Sequence, residues 1–495
     1  MPPAQPSSRA PALLAELRAL RRDVEHGAAE ILANWESRIE RPGFQEPAHN
    51  LAQYIVLRRM DLRPLQDELR LFGLSTLGRV EGRVMANLDA VIAALAAIAG
   101  DPEPCPFPDA AIMRHGPEAI RAGADRALGP CLGPRTVRLM VTLPAEVGED
   151  EGLALSLVEN GADLVRINCA HDGPKQWQAM IANVRQAARS IGRPVRVLMD
   201  LGGPKCRTGV VIAAKGHKRL CSGDSFLLLR PDVEVRTDWP VQAGCTLASV
   251  FDNLRPGAPV WVDEGRLGGV VRTLLPEGAV VDVRSAPPRG LKLKADKGLN
   301  FPDTDLGVPP LTDKDLADLD FVAANADLVG YSFVQEAGDI ERLQAELALR
   351  AGERRAAAIG IVAKIETPRA VRNLPEIIVQ GAGRQPFAIM IARGDLGVEI
   401  GFGRLAEIQE EILWLCEAAH VPVIWATGVL NGLIKDGQPN RGEMTDAAMS
   451  ARAECVMLNK GPHVVAALRC LDELFVRMAE HQQKKSPRLR ALKSW

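Results

Sequence analysis

The sequence predicts an α/β chain: a (β/α)8 TIM barrel with an inserted small β-barrel lid domain and an N-terminal helical module. Three observations predict it. From Thr136 onward, eight short β-rich runs alternate with amphipathic helical stretches. The alternation is interrupted once, between Asp200 and Asp327, by a stretch rich in valine, glycine and turn signals. Polar residues also collect at the C-terminal ends of the runs, where barrel enzymes do their chemistry.

In chain order, residues 1–10 hold proline and serine and little to bury, and are expected to be disordered. Residues 11–100 read as a helical module. Leu13, Leu14, Leu17, Leu20, Val24, Ile31 and Leu32 recur at helical spacing, a second helix follows Asn50, and a third covers Asp61–Phe72. Gly73 can close that helix and Ser75 can cap a fourth running to about Ile98. The Leu62–Gly78 pattern resembles helix–turn–helix modules that bind DNA. Six basic residues nearly balance five acidic ones between Asn50 and Gly100, however, whereas a DNA-binding face shows a basic stripe. An accessory packing or oligomerising role is expected instead. Prolines at 102, 104, 106, 108, 117, 130 and 134 mark residues 101–135 as a linker.

The eight runs are Thr136–Thr142, Asp163–Asn168, Val195–Asp200, Asp327–Phe333, Gly360–Glu366, Ala388–Arg393, Pro422–Thr427 and Cys455–Leu458. They assign residues 136–206 and 298–480 to the barrel. The interruption repeats turn signals such as Ser222-Gly-Asp, Arg255-Pro-Gly and Leu275-Pro-Glu-Gly, so residues 207–297 are expected to form the β insertion. Domains hung from that face commonly act as lids. Residues 481–495 read as a solvated basic tail.

Composition narrows the function classes. The hydrophobic fraction of 47% and charged fraction of 25% are ordinary for a soluble globular protein. A net charge of −2 gives no reason to expect a nucleic-acid or membrane partner. Nine cysteines, none in a CxxC pair, suit buried thiols in a reducing cytoplasm. The N-terminus has no basic-then-apolar signal, and the longest apolar run, Val91–Ala99, is too short to span a bilayer.

The chemistry concentrates in Gly360-Ile-Val-Ala-Lys-Ile-Glu366 and Ala388-Ile-Met-Ile-Ala-Arg-Gly-Asp-Leu-Gly397. Residues two apart in a strand point the same way, so Lys364 and Glu366 share a face. Asp395 follows the next run, where Gly394 and Gly397 leave backbone N–H groups accessible. Two carboxylates at adjacent strand ends can hold a divalent cation, and a lysine beside them can meet a phosphate or an enolate. A strand-end salt bridge and a helix N-cap are the plainer readings of the same residues. The full strand-end set is Thr142, Arg166, Asn168, Asp200, Ser332, Lys364, Glu366, Asp395, Thr427 and Asn459. It suits metal-assisted chemistry on a phosphorylated or carboxylated small molecule.

At these residues the chain resembles the pyruvate kinase family. The matching segments are Leu164-Val-Arg-Ile-Asn-Cys-Ala-His171, Asp200-Leu-Gly-Gly-Pro-Lys-Cys-Arg-Thr-Gly209, Lys297-Gly-Leu-Asn-Phe-Pro302, Ala363-Lys-Ile-Glu366, Ile389–Ile400, Val423-Ile-Trp-Ala-Thr-Gly428 and Arg441-Gly-Glu443. They keep the family's order over about residues 136–480. The resemblance implies phosphoryl transfer from phosphoenolpyruvate to ADP, giving pyruvate and ATP. It implies Glu366 and Asp395 as ligands of Mg²⁺ (or Mn²⁺) and Lys364 as the group that offsets charge on the phosphoryl and enolate. Arg166 and Arg207 would grip phosphoryl oxygens, with Asn168 beside them in the substrate site. Backbone N–H groups of Gly394 and Asp395 would take the substrate carboxylate, Thr427 would stand at the proton-delivering water, and His171 and Lys297 would approach the nucleotide. A homo-oligomer is expected.

The departures are informative. Of four K⁺ ligands found in many members, the matching positions are Asn168, Ala170, Asp200 and Leu201, and Lys205 replaces the usual glutamate. The resemblance therefore implies a K⁺-independent protein in which the Lys205 ammonium, paired with Asp200, substitutes for the ion. The family's Ser-Gly-Glu-Thr-Ala segment appears as Asn459-Lys-Gly-Pro-His463, and Gly428 follows the threonine. The chain ends at Trp495, so the family's C-terminal regulatory domain is expected to be missing. Two alternatives stand beside the kinase: a lyase or aldolase handling pyruvate enolate on the same site, and a catalytically weak phosphoenolpyruvate-binding sensor.

Overall fold

The computed structural model describes residues 6–103, 105–216, 218–231, 233 and 239–488. The N-terminal module comprises helices α1 (Pro6–Trp35), α2 (Gln45–Arg58), α3 (Arg63–Leu71) and α4 (Val84–Ala99). The apolar stripe of α1 is what folds it: Leu13, Leu14, Leu17, Leu20 and Val24 are all buried, against α2 and α4. The helix begins at Pro6, inside the stretch expected to be disordered, because Ala10 extends the buried stripe backwards; residues 1–5 lie outside the described residues. The fourth helix starts at Val84, not Ser75, and turns occupy residues 74–83.

The proline-rich stretch read as a linker carries a 19-residue helix, α5 (Ala110–Leu128). Asp109 caps it by accepting from the Ala111 N–H at 2.6 Å. Pro117 falls inside the helix, yet burial of Ile120, Ala124, Ala127 and Leu128 outweighs the lost backbone bond. Periodicity hidden between prolines is easily missed. The C-terminal end of α5 packs into the bottom of the barrel: Ala127 and Leu128 join Met140, Leu198, Val362, Met390 and Met457 in one buried cluster.

The barrel strands are β1 (Arg138–Thr142), β2 (Leu164–Asn168) and β3 (Arg196–Asp200), resuming after the insertion as β11 (Leu328–Tyr331), β12 (Gly360–Ile365), β13 (Phe387–Ala392), β14 (Val423–Ala426) and β15 (Cys455–Leu458). They close into an eight-stranded barrel, parallel throughout. Their near-continuous apolar runs follow from burial on both faces. The insertion holds β4 (Thr208–Ala213), β5 (Ser225–Leu229), β6 (Val241–Cys245), β7 (Pro259–Val262), β8 (Leu267–Leu275), β9 (Gly278–Ser285) and β10 (Leu299–Asn300). These form one curled sheet in the order β10-β7-β8-β9-β5-β6-β4, a half-barrel with its own apolar core. At the hinge, Thr208 and Lys297 clasp each other: the Thr208 N–H donates to the Lys297 carbonyl at 2.7 Å and the Lys297 N–H to Thr208 Oγ1 at 2.8 Å.

The start of the basic tail is not solvated. Residues 482–487 form a short hairpin, in which Lys484 pairs with Glu454 and Lys485 with Glu81. Residues 489–495 lie outside the described residues. Among the described residues no helix is long and apolar enough to cross a membrane.

Candidate active site

Strand register assembles the site. Gly330 in β11 stands opposite Asp200 in β3 and Val362 in β12. A Cβ on Gly330 would lie 2.5 Å from Asp200 Oδ1, so glycine there makes room for the carboxylate to lean across β11. Asp200 Oδ2 thereby meets Lys364 Nζ of β12 at 3.3 Å, while Arg166 of β2 donates to the same oxygen through Nε at 2.7 Å. Arg166 Nη1 also donates to Thr142 Oγ1 of β1 at 3.1 Å.

Lys364 is the centre. Its ammonium donates to Ser332 Oγ at 2.7 Å and pairs with Glu366 Oε1 at 3.2 Å as well as with Asp200. Burial pulls its pKa down, but Asp200 and Glu366 more than offset that, so the group is held above the ordinary lysine value and stays charged. Burial would raise Asp200, yet Lys364 and Arg166 hold it below the usual carboxylate range. Glu366 goes the other way: burial and the charge of Asp395 push it up, against the pull of Lys364. The backbone N–H of Phe333, at a positive φ of 56°, donates to Glu366 Oε2 at 2.6 Å. A hard divalent cation would relieve both causes of that rise, and Mg²⁺ sites commonly use one or two carboxylates with substrate and water. Glu366 and Asp395 fit such an ion.

Asp395 lies in the first turn of the helix Arg393–Ile400, which follows β13 directly and leaves its leading N–H groups free of intrahelical partners. Lys205 Nζ donates to both Asp395 oxygens, at 2.8 and 2.9 Å. The sequence paired Lys205 with Asp200. That pairing is corrected: Asp200 is taken by Arg166 and Lys364, so Lys205, displaced to the lid side, reaches the next free carboxylate.

Thr427 follows β14 with φ +64°, a strained conformation for a β-branched residue that costs roughly 1–3 kcal/mol. Arg393 holds it there. Its guanidinium donates to the Ala426 carbonyl at 2.9 Å and the Thr427 carbonyl at 2.7 Å, and forks onto Asp446. Gly394 admits the threonine side chain, since a Cβ there would meet Thr427 Cγ2 at 2.8 Å. Arg393 has no role in the sequence reading; a charge directly after a fully buried strand is the signal that marks it.

Among the described residues no hydrogen bond or ion pair joins the remaining expected residues to this cluster. Asn168 Oδ1 accepts from the Ala170 N–H at 3.1 Å. His171 is exposed in the following loop. Arg207 meets Asp296 Oδ1 at 3.4 Å, and Lys297 meets Asp263 Oδ1 at 3.0 Å, both at the lid hinge. A cavity of ≈ 580 Å³ opens beside Lys205 and Asp395, walled by the lid's return strand and by Thr367, Arg369 and Arg404.

The family model described as "Pyruvate kinase, barrel domain" matches residues 134–462. The chain is 31% identical to pyruvate kinase from Mycobacterium intracellulare, covering 71% of this chain and 72% of that one. It is 31% identical to pyruvate kinase from Corynebacterium glutamicum, covering 70% of each. To pyruvate kinase from Geobacillus stearothermophilus it is 30% identical, over 69% of this chain and 57% of the other.

Proposed function

The chain belongs to the pyruvate kinase family, and from that premise we propose that it transfers the phosphoryl group of phosphoenolpyruvate to ADP, with a divalent cation and without need of K⁺. The observation that carries this reading is Lys364, held charged between Asp200 and Glu366 with Asp395 adjoining.

Glu366 and Asp395 would hold Mg²⁺ or Mn²⁺; when bound, the ion neutralises charge on the substrate's carboxylate and enol oxygen. Arg166 is oriented by Thr142 and Asp200, which leaves its fork geometry preorganised for phosphoryl oxygens. Lys364 offsets the charge of the phosphoryl group in flight and then that of the enolate, and such preorganised stabilisation is worth ~3 kcal/mol for one donor. The N–H groups of Gly394 and Asp395 at a helix start suit the substrate carboxylate. Thr427, fixed by Arg393, offers its hydroxyl beside the position where the enolate is protonated. Asn168 and Arg207 border the substrate, and His171 and Lys297 the nucleotide. Lys205 supplies a fixed positive charge held on Asp395, in a chain whose Ala170 and Leu201 offer no side-chain oxygen to K⁺. A cytoplasmic homo-oligomer is the corresponding physical setting.

A coupled assay with phosphoenolpyruvate, ADP and Mg²⁺ tests the reading. Pyruvate formation that requires all three supports it. Binding of phosphoenolpyruvate without turnover would sink the kinase and leave the sensor.

A further inference from the structure

Every partner of the Lys364 ammonium but one has another task. Asp200 also takes Arg166, and Glu366 is proposed as a metal ligand. The exception is Ser332, which is buried to 1% exposure and has no part in the proposed mechanism. It directly follows β11, one step past the register pair Tyr331 and Ala363, which brings it level with Lys364. The ammonium donates to Ser332 Oγ at 2.7 Å. Its contacts with Glu366 Oε1 and Asp200 Oδ2 are longer, at 3.2 and 3.3 Å, the outer edge of the usual hydrogen-bond range. A short hydrogen bond fixes direction, whereas attraction between charges does not depend on where an N–H points. The two carboxylates therefore keep Lys364 charged, and the serine settles where its N–H groups are aimed.

The serine is itself held in place. A hydroxyl has one proton, and Ser332 commits it to the Leu201 carbonyl at 2.6 Å, which leaves a lone pair for Lys364. The Leu201 N–H donates to the Gly330 carbonyl at 2.9 Å, so the ladder between β3 and β11 fixes that acceptor. Just beyond, Gly203 at φ +66° lies against the serine: a Cβ there would meet Ser332 Cβ at 2.9 Å. Asp315, 1% exposed, secures this loop by accepting from the N–H groups of Gly202 at 2.9 Å and Gly203 at 3.2 Å. An acceptor braced in this way offers a single position, as preorganised stabilisation of developing charge requires.

We infer that Ser332 is a positioning residue: it aims the Lys364 ammonium at the transferring phosphoryl group and then at the enolate. This role rests on the phosphoryl-transfer reading. A misaimed lysine keeps its charge and its neighbours, so substrate and cation bind as before while the barrier rises.

The test is steady-state kinetics of the full chain with phosphoenolpyruvate, ADP and Mg²⁺, beside Mn²⁺ binding followed by electron paramagnetic resonance. Ser332→Ala should lower kcat about ten- to a hundredfold, the loss of one bond to a charged group that the bond also orients. KM for phosphoenolpyruvate and the Mn²⁺ affinity should each stay within about threefold of wild type. Ser332→Cys, close in shape but a weak acceptor, should be impaired like Ser332→Ala. Wild-type kcat in the cysteine variant would make the residue a space-filler and overturn the role. In a Lys364→Met background Ser332→Ala should cost nothing more, because the group it aims is gone. A further fall of the same size there, unchanged kcat in Ser332→Ala, or Mn²⁺ affinity falling with kcat would each overturn the inference. A wild type that forms no pyruvate would instead sink the phosphoryl-transfer reading, and this role with it, so the wild-type assay separates the two failures.

Discussion

The Lys205 ammonium grips both oxygens of Asp395, at 2.8 and 2.9 Å, across 190 positions of sequence. The same carboxylate is one of two proposed to hold a divalent cation. On that proposal a fixed ammonium and a metal ion would share one anion, and Lys205 would tune the charge that the metal meets.

Turnover of the wild-type protein is expected to be the same in K⁺ and in a K⁺-free buffer of a large organic cation. Lys205→Met should lower kcat about tenfold or more, the loss of one charge-assisted contact of ~1.5–3 kcal/mol. Added K⁺ should not rescue it, because Ala170 and Leu201 supply no side-chain oxygen. Steady-state rates across a K⁺ titration decide this; a steep rise in the wild type would refute the substitution.

Lys364→Met should reduce kcat by at least about 10²–10³-fold, as for removal of one donor aimed at developing charge. Mn²⁺ binding, followed by electron paramagnetic resonance, should be nearly unchanged because Glu366 and Asp395 remain. Thermal stability should fall, since Asp200 and Glu366 lose a buried counter-charge worth ~3–5 kcal/mol. Full activity in this variant would overturn the role given to Lys364.

Thr427→Gly separates strain from chemistry. Glycine adopts φ +64° freely, which offsets its larger entropy loss on folding, so the variant should unfold within about 1 kcal/mol of wild type. Its kcat should nonetheless drop about a hundredfold, the lower range for losing a positioned proton-transfer group. Chemical denaturation and kcat measured on the same preparation read both effects.

The tail, α2 and the barrel bury Glu81 and Glu454 beside Lys484 and Lys485, with Glu417 close by. Burial pushes Glu417 up to about 7, against the pull of Lys484. Its folded pKa exceeds the unfolded one, so its contribution is fully present below the unfolded value and is lost as pH rises through about 7. Glu417→Gln should therefore match wild type near pH 4 and exceed it by up to ~3 kcal/mol at pH 8. Melting curves over that range, with a gap that widens upward, check the sign.

The barrel strands were legible because each is an apolar run ended by polar residues, and burial on both faces makes such runs nearly continuous. The reading of Glu366 beside Lys364 depended only on the two-residue period of a strand. Helix α5 was hidden because Pro117 and its flanking prolines mask the periodicity that burial against the barrel floor makes effective. The docked hairpin at Lys484 and Lys485 was equally invisible: a basic tail has no intrinsic reason to fold until Glu81 and Glu454 are brought to it.

Sequence alone determined the strand order, the site's residue types and the face on which they emerge, since these follow from local periodicity. Which carboxylate each cation meets was decided only by the closed barrel. Register and the missing Cβ of Gly330 give Asp200 to Lys364 and Arg166, and Lys205 is left to Asp395. Ion pairing depends on distances of a few ångströms between residues far apart in the chain, and only tertiary packing sets those distances.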